Sequence, residues 1–392
     1  MVGAISSTDV QRHNAGNMND MISDLPEDVL LDILSLVPTK DAVKTSILVK
    51  KWKHLLLHKS NHIERLCIKV QGIDIYDAWK VNILLSYALK HKVLDLKLSL
   101  NFIDSRFKLP HNFSSSHSLN KLYLESGVHM FIPDGICFPN LKTLYLSRLS
   151  FNNEMSAQRL LSGCPILEEL TLYKCIWVNI NQICVSISKF CTSNPAIKYI
   201  LVKPTSIVDA YIDLKFSYPE NPLHVSHCAM ELLSELVSVK SLKLTNNTIE
   251  RFSYPRNCGH LLPSFNNLTK LDMILGYFYV SCELLVDILR KTPKLEVLHI
   301  SKGDCTALDN EDLTSDSLPC CIKSSLKLCS FSDFDGDEIE IQLLKCLTEN
   351  ATVLEAINIF CSGGLSSNLK KLTDVRNHVQ SLGLGSCVFK FH

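Results

Sequence analysis

No uninterrupted apolar run in this chain approaches the ~18 residues needed to cross a bilayer as a helix. The greasiest window, "LDMILGYFYVSCELLVDIL", is broken by Asp272, Glu283 and Asp287, so no membrane span is expected. No two of the 16 cysteines are spaced as CxxC, and the paired Cys or Cys/His knuckles of a structural zinc site are missing. Neither sign of charge dominates: Lys plus Arg and Asp plus Glu each number 40. Global charge therefore argues for neither a nucleic-acid nor a membrane partner. The first twenty residues are polar, lack the apolar stretch of a secretory signal, and read as a disordered tail. Without such a signal the cysteines read as reduced, mostly buried small hydrophobes. The N-x-S/T sequons at Asn112, Asn246, Asn267 and Asn350 then read as chance matches in a protein of the nucleus, the cytoplasm or both.

Motifs of catalysis are missing as well. There is no P-loop and no G-x-S-x-G elbow. "GLGSC" at Gly383 lacks the third glycine and the opening helix of a dinucleotide loop. "DFDGDE" from Asp333 hints at calcium, but Gly336 falls at the fourth place of such a loop, where an EF-hand needs glycine at the sixth. It reads as a solvated turn. "HNFSSSH" (His111 to His117) reads as a Ser-rich loop, and no Cys-His nucleophile pattern stands out. The expectation is a non-enzyme with no metal and no cofactor.

What is present is a globular composition, 46% hydrophobic and 20% charged over 392 residues, enough for two or three domains. Near the front stands "DLPEDVLLDILSLVPTKDAVKTSILVKKWKHL" (Asp24 to Leu55). Asp24 can cap a helix with Pro26 in its first turn, where a missing N–H costs nothing. Val29, Leu30, Ile33, Leu34 and Val37 recur at helical spacing. Pro38 ends that helix, Thr39 can cap a second with Ala42, Val43, Ile47 and Leu48, and Val49, Trp52, Leu55 and Leu56 suggest a third. Such a module is below the size at which one core is comfortable, and its apolar positions spread over more than one face. Two readings fit: a cap on the following domain, or a surface that belongs to another protein.

The body repeats apolar-x-x-apolar-x-apolar: "VLDLKL" from Val93, "LNKLYL" from Leu119, "LKTLYL" from Leu141, "LEELTL" from Leu167, "IKYILV" from Ile197, "VKSLKL" from Val239, "LTKLDM" from Leu268 and "LEVLHI" from Leu295. Weaker copies start at Leu326 and Leu354. Most starts lie ~22–31 residues apart, the range of leucine-rich repeats. The last four places of each copy alternate, which predicts a short strand with two side chains inward. "FNNEMSAQRLLSGCPI" and "YFYVSCELLVDILRKTPK" predict return helices ended at Gly163–Pro165 and Lys291–Pro293. One repeat cannot bury its own leucines, but a stack can. The stretch between Ile197 and Val239 is irregular: "YIDLKF" from Tyr211 is a degenerate strand candidate, and "SYPENPLHVSH" reads as a loop. Near the end, "LKLCSFSDFDGDEIEIQLLKCLTENATVLEAINIF" predicts strand, acidic turn, helix and strand. The helix would carry Ile339, Ile341, Leu343, Leu344 and Leu347 on or near its buried side and end near Asn350.

Three segments resemble known domains. Leu25-Pro26, Ile33-Leu34, Val37-Pro38, the Thr39–Asp41 turn and Lys50-Lys51-Trp52 make the front stretch resemble an F-box. The repeats resemble leucine-rich repeats, and the segment from Leu326 to Phe360 is similar to the FBD domain that follows such repeats in a large plant class. The order of the three matches that F-box/LRR/FBD class. The resemblance implies an α/β fold: a small N-terminal helical F-box, then a leucine-rich-repeat solenoid with parallel strands on the concave side, then an FBD-like cap. The expected divisions are 1–20 tail, 21–58 F-box, 59–320 repeats and 321–392 FBD-like region. One departure stands out. In the family a longer connector separates the F-box tryptophan from the repeats, whereas here "KKWKHLLLHKSNHIERLCIKV" runs almost directly into repeat-like sequence.

The function so implied is substrate recognition for an SCF-type (Skp-cullin-F-box) E3 ubiquitin ligase. Leu25, Pro26, Ile33, Leu34, Val37, Pro38, Val43, Leu48 and Trp52 would face or support a Skp-type adaptor, and through it a cullin/RING ligase. Candidate target-facing residues are outward positions of the strands: Lys121, Tyr123, Lys142, Tyr145, Glu169, Thr171, Lys243, Asp272 and His299. Two other readings stay open, a repeat-based binding or decoy protein uncoupled from ubiquitination and a small-molecule co-receptor of F-box type.

Overall fold

The computed structural model describes residues 63–392 except 74–77, 103–108, 127–135, 152–153, 178–181, 194–197, 202–205, 215–221, 253–260, 276–281, 303–318 and 383–386. The described residues belong to the compact unit Asn61–His392. The expected tail and the front helical module, with Leu25, Pro26, Ile33, Leu34, Val37, Pro38, Val43, Leu48 and Trp52, lie outside the described residues, as does Gly383 of "GLGSC".

The elements run β1 (Arg65–Ile73), α1 (Ala78–Lys90), β2 (Asp95–Phe102), β3 (Lys121–Ser126), β4 (Thr143–Ser147), β5 (Ser150–Phe151), α2 (Glu154–Ser162), β6 (Glu169–Tyr173), β7 (Ile176–Trp177) and β8 (Gln182–Val185). They continue with β9 (Lys189–Thr192), β10 (Lys198–Leu201), β11 (Asp209–Ile212), α3 (Pro222–Glu235), β12 (Ser241–Thr245), α4 (Asn246–Phe252), β13 (Lys270–Leu275), α5 (Cys282–Arg290) and β14 (Val297–Lys302). The last are α6 (Cys320–Ser324), β15 (Leu328–Phe334), α7 (Glu338–Asn350), β16 (Ala356–Cys361), α8 (Gly363–Ser367), α9 (Leu369–Ser381) and β17 (Val388–Phe391). Thirteen of the strands form one sheet, ordered β1-β2-β3-β4-β6-β9-β11-β12-β13-β14-β15-β16-β17, and every pair in it is parallel. The chain is thus a mixed α/β protein with a large parallel sheet, consistent with a leucine-rich-repeat fold.

The repeat explains the sheet. Its fourth place forms an unbroken row across neighbouring strands: Leu96, Leu122, Leu144, Leu170, Phe190, Ala210, Leu242, Leu271, Leu298, Cys329 and Ile357. All are buried, and so are the sixth-place residues beside them, among them Leu98, Leu146, Ile212, Met273 and Phe331. Burying one such side chain is worth about 1.5–3 kcal/mol, and only a stacked neighbour supplies the cover. A second ladder joins the starts of the repeats. The N–H of each second-place residue bonds to the carbonyl of the second-place residue before it, as in Lys142 to Asn120 (2.8 Å), Glu168 to Lys142 (2.8 Å) and Lys327 to Glu296 (2.9 Å).

The expected helices over "FNNEMSAQRLLSGCPI" and "YFYVSCELLVDILRKTPK" are α2 and α5. Gly163 follows α2 where the chain passes against another backbone. A Cβ there would stand 2.2 Å from the Ile136 carbonyl oxygen, and the Gly163 carbonyl accepts from Phe138 N–H at 2.8 Å.

Four expectations need correction. The strand read at Ile197 exists, as β10, but pairs with β8 in a separate two-stranded sheet. The main sheet is filled there by β9 and β11. Strand β9 escapes the leucine pattern because Thr192 takes the sixth place, buried and hydrogen-bonded at 2.7 Å to the Tyr199 hydroxyl. Strand β11 starts at Asp209, two residues ahead of the candidate at Tyr211, and follows the pattern as "IVDAYI". "SYPENPLHVSH" is no loop from Pro222 on: α3 begins there, with the proline as first helical residue and Val225, Cys228, Ala229, Leu232 and Leu233 buried at helical spacing. Finally, His111–Ser115 of "HNFSSSH" forms a 3-10 helix.

The tail follows the expected order of β15, turn, α7 and β16. Leu343, Leu344 and Leu347 are buried, and Ile341 is half-buried. Strands β15, β16 and β17 extend the main sheet.

Candidate protein-binding face

Alternation along each strand sends the third and fifth places of the repeat to the side opposite the leucines. The fifth place forms one continuous row: Lys97, Tyr123, Tyr145, Thr171, Cys191, Tyr211, Lys243, Asp272, His299, Ser330, Asn358 and Lys390. Beside it the third place forms a row of Asp95, Lys121, Thr143, Glu169, Lys189, Asp209, Ser241 and Lys270. These residues are half-buried or exposed, save the buried Ser330.

Eight of the nine target-facing candidates stand on these rows: Lys121 and Glu169 on the third place, Tyr123, Tyr145, Thr171, Lys243, Asp272 and His299 on the fifth. Lys142 does not. It precedes β4 on the second place, its backbone is part of the ladder at the rim, and its Nζ pairs with Glu168 at 2.9 Å. The exposed Lys97 and the half-buried Cys191 and Tyr211 belong to the same row and were not among the candidates. Lys97 is the fifth place of "VLDLKL", so the rule that selected the others would have found it. Tyr211 needed the frame "IVDAYI".

The carboxylates of the face are mostly engaged. Glu169 meets Lys189 at 2.9 Å and accepts from Thr143 Oγ1 at 3.3 Å. The lysine bond is the main reason its carboxyl is held below the usual range. At Glu125 burial opposes ionisation, but hydrogen bonds from Arg148 and Ser99 and the charges of Arg148 and Lys69 outweigh it and lower its pKa. Asp95 meets Arg65 at 3.2 Å, and Asp272 meets Lys270 at 3.4 Å. The buried Asp213, just past β11, accepts from Thr245 Oγ1 (2.7 Å) and Asn247 Nδ2 (2.9 Å).

The tyrosines form a ridge on the fifth-place row. The Tyr123 and Tyr145 rings lie 5.6 Å apart. Lys97 Nζ stands 5.9 Å from the Tyr123 ring centre, and Lys243 Nζ 5.3 Å from that of Tyr211. Burial raises the Tyr145 hydroxyl pKa, and burial, with Asp213 nearby, pushes that of Tyr211 to about 12. Both hydroxyls stay protonated and able to donate. Further along the face, a hollow over β12 to β15 is lined by Lys243, Lys270, Asp272, His299 and Ser301, and His299 Nε2 lies 3.1 Å from Ser332 Oγ. No phenylalanine, tyrosine or tryptophan lines it. Among the described residues no group of three or more His, Cys, Asp or Glu is placed to hold a metal, and no helix is long and apolar enough to cross a membrane.

Three family models match the chain in sequence order: the F-box domain over residues 22–64, the leucine-rich repeats of the FBD-associated F-box protein At5g56370 over 81–212, and FBD over 315–359. None of the three is a catalytic domain. In Arabidopsis thaliana the F-box/LRR-repeat protein At3g59250 is 28% identical, with 89% of this chain and 92% of that protein covered. The FBD-associated F-box protein At4g10400 of the same plant is 26% identical, covering 95% of this chain and 100% of its own length. The chain thus carries matches to F-box, leucine-rich-repeat and FBD domains in that order and is similar over most of its length to Arabidopsis proteins of this class. An F-box implies in general a Skp-type adaptor as partner, and F-box proteins with repeats of this kind are in general SCF-associated substrate adaptors.

Proposed function

We propose that this chain recruits substrates to an SCF-type E3 ubiquitin ligase. In this reading the helical F-box at 21–58 docks a Skp-type adaptor and, through it, the cullin and RING subunits. The strands form the concave side of a solenoid whose open face holds a protein target, and the FBD-like region at 321–392 closes the end. The chain makes and breaks no bonds itself; it raises the effective concentration of the target beside a conjugating enzyme. The observation that carries the reading is the F-box match directly ahead of a sheet whose opposite face offers a continuous row of polar and aromatic side chains. The partners are the adaptor and a protein target, with neither nucleic acid nor membrane, and the setting is the nucleus, the cytoplasm or both.

The first test is capture of a purified plant Skp-type adaptor by the full-length chain, beside a chain lacking residues 1–58 and the double variant Leu34→Asp, Trp52→Ala. Leu34 and Trp52 would be apolar anchors of that interface. Truncating one such anchor costs about 2 kcal/mol or more, roughly 30-fold in affinity. Capture by the full-length chain alone supports the reading. Equal capture by the double variant would show the adaptor surface to lie elsewhere. No capture by a folded full-length chain would favour a binding protein uncoupled from the ligase, disabled by its short connector.

A further inference from the structure

The open face carries a selectivity that its overall charge hides. Of its carboxylates, Asp95, Glu125, Glu169 and Asp272 each have a basic partner within the face. Lys97 and Lys243 form no such ion pair among the described residues; they stand over the rings of Tyr123 and Tyr211, and Asp272, beside Lys243 on the next strand, is paired with Lys270. Lys97 and Lys243 both lie on the fifth-place row, one at each end of the tyrosine ridge, with six strand-to-strand steps between β2 and β12. Between them stand only neutral groups, Tyr123, Tyr145, Thr171, Cys191 and Tyr211, and their hydroxyls are hydrogen-bond donors.

We infer that this ridge binds an extended, acidic peptide segment of the target, with a carboxylate or a pair of them at each end seated on Lys97 and Lys243 and an apolar or aromatic middle lying over the tyrosines. Six steps of about 4.8 Å make about 29 Å, which an extended chain rising about 3.3 Å per residue crosses in about nine residues. The lysines are held against aromatic faces, where attraction to the ring costs them no counter-charge. An incoming carboxylate therefore displaces no ion pair. A nucleic acid suits the face less well. Its evenly spaced phosphates need a continuous basic track, and the flanking third-place row gives none, since Lys121, Lys189 and Lys270 alternate there with Asp95, Glu169 and Asp209, whereas a peptide with acids only at its ends passes this row with neutral residues.

This inference rests on the open face being the target-binding face of the proposed function, and the two can fail separately, because adaptor capture reads the F-box and not the ridge. The test is selection of displayed random 14-residue peptides on the full-length chain, repeated on Lys97→Ala, Lys243→Ala and, as a control distant in sequence, Lys345→Ala. Enrichment of peptides with acidic residues about nine apart is expected, with affinity falling tenfold or more in the first two variants and unchanged in the third. Reversing both charges (Lys97→Glu with Lys243→Glu) should switch the selection to basic peptides. Enrichment of neutral or basic peptides by the wild type, no enrichment at all, or acidic peptides indifferent to both lysines would overturn the inference. So would tight, salt-sensitive binding of a 15-residue oligothymidylate to the same face.

Discussion

The carboxylate of Glu340 accepts from the backbone N–H of Gly336 at 2.8 Å and, through the same oxygen, from those of Asp335 (3.0 Å) and Asp337 (3.2 Å). Asp337 answers by accepting from Glu340 N–H at 2.9 Å, completing a capping box at the start of α7. The acidic turn that in sequence suggests a cation loop is thus organised around its own glutamate. Gly336, at φ 70°, lets the turn close, and a Cβ there would stand 2.6 Å from Cγ2 of Val375 in α9. Glu340→Ala would leave three N–H groups without this acceptor and should lower stability by about 1–3 kcal/mol. Glu340→Gln keeps an acceptor oxygen and should lose less. Urea unfolding of the three proteins checks the order; equal midpoints for the alanine variant and the wild type would contradict it.

Much of the sheet was legible because its physics is local. A residue at the fourth or sixth place must be apolar to be buried, so wherever leucine fills those places, as in Leu144 and Leu146, the strand can be read directly. Legibility failed where another interaction replaced leucine. Thr192 satisfies its buried hydroxyl through Tyr199 and breaks the pattern of β9. Ile200 fills the fourth place of the copy read from Ile197, but in the side sheet it is Tyr199 and Leu201, the third and fifth places, that are buried. Pro222 suggested a loop although it opens a helix, and the apolar spacing from Val225 to Leu233 was the signal that outweighed it. The open face was readable as rows once the frame was right. What sequence could not give was which of its charges already have partners, since the partners lie on neighbouring strands, as Glu169 and Lys189 do, 20 residues apart.

Two glycines should respond to alanine in opposite ways. At Gly163 a methyl group would meet backbone, the Ile136 carbonyl oxygen at 2.2 Å and the Arg159 carbonyl oxygen at 3.2 Å. Neither can swing aside like a side chain, so Gly163→Ala should cost about 1–3 kcal/mol. At Gly363, in the first turn of α8, nothing lies within 4 Å of the added carbon. Gly363→Ala should be neutral or stabilise by about 0.4–1 kcal/mol by restricting the unfolded chain. Thermal unfolding of both variants would decide; a tolerated Gly163→Ala would mean that the loop at Ile136 yields.

The adjacent Cys320 and Cys321 should differ sharply towards a thiol reagent. Cys320 is exposed, whereas Cys321 is fully buried and donates to the Leu289 carbonyl at 3.3 Å. Burial pushes the Cys321 thiol up to about 11, and the reactive species is the thiolate. Alkylation of the native protein at pH 8 followed by peptide mass spectrometry should, among the described cysteines, label Cys320 and the exposed Cys137 first. Cys321, Cys164 and Cys175 should be labelled only after unfolding. Early labelling of Cys321 would show that α6 opens readily.

Tyr211 should ionise well above the usual tyrosine range. Burial, then the charge of Asp213, raises its pKa from 10.0 to about 12. A group whose pKa is raised in the folded state holds its proton more tightly there. Its contribution to stability is complete below about pH 10 and is lost as pH climbs towards 12. The absorbance at 295 nm of the wild type minus that of Tyr211→Phe should therefore rise near pH 12, not near 10, as long as the protein stays folded. The phenylalanine variant lacks this ionisation, so its stability should fall less steeply than the wild type's between those limits. A difference signal centred at pH 10 would place the Tyr211 hydroxyl in open water. The ridge would then carry a partly negative group at alkaline pH, and the preference for acidic segments would weaken from pH 10 upward.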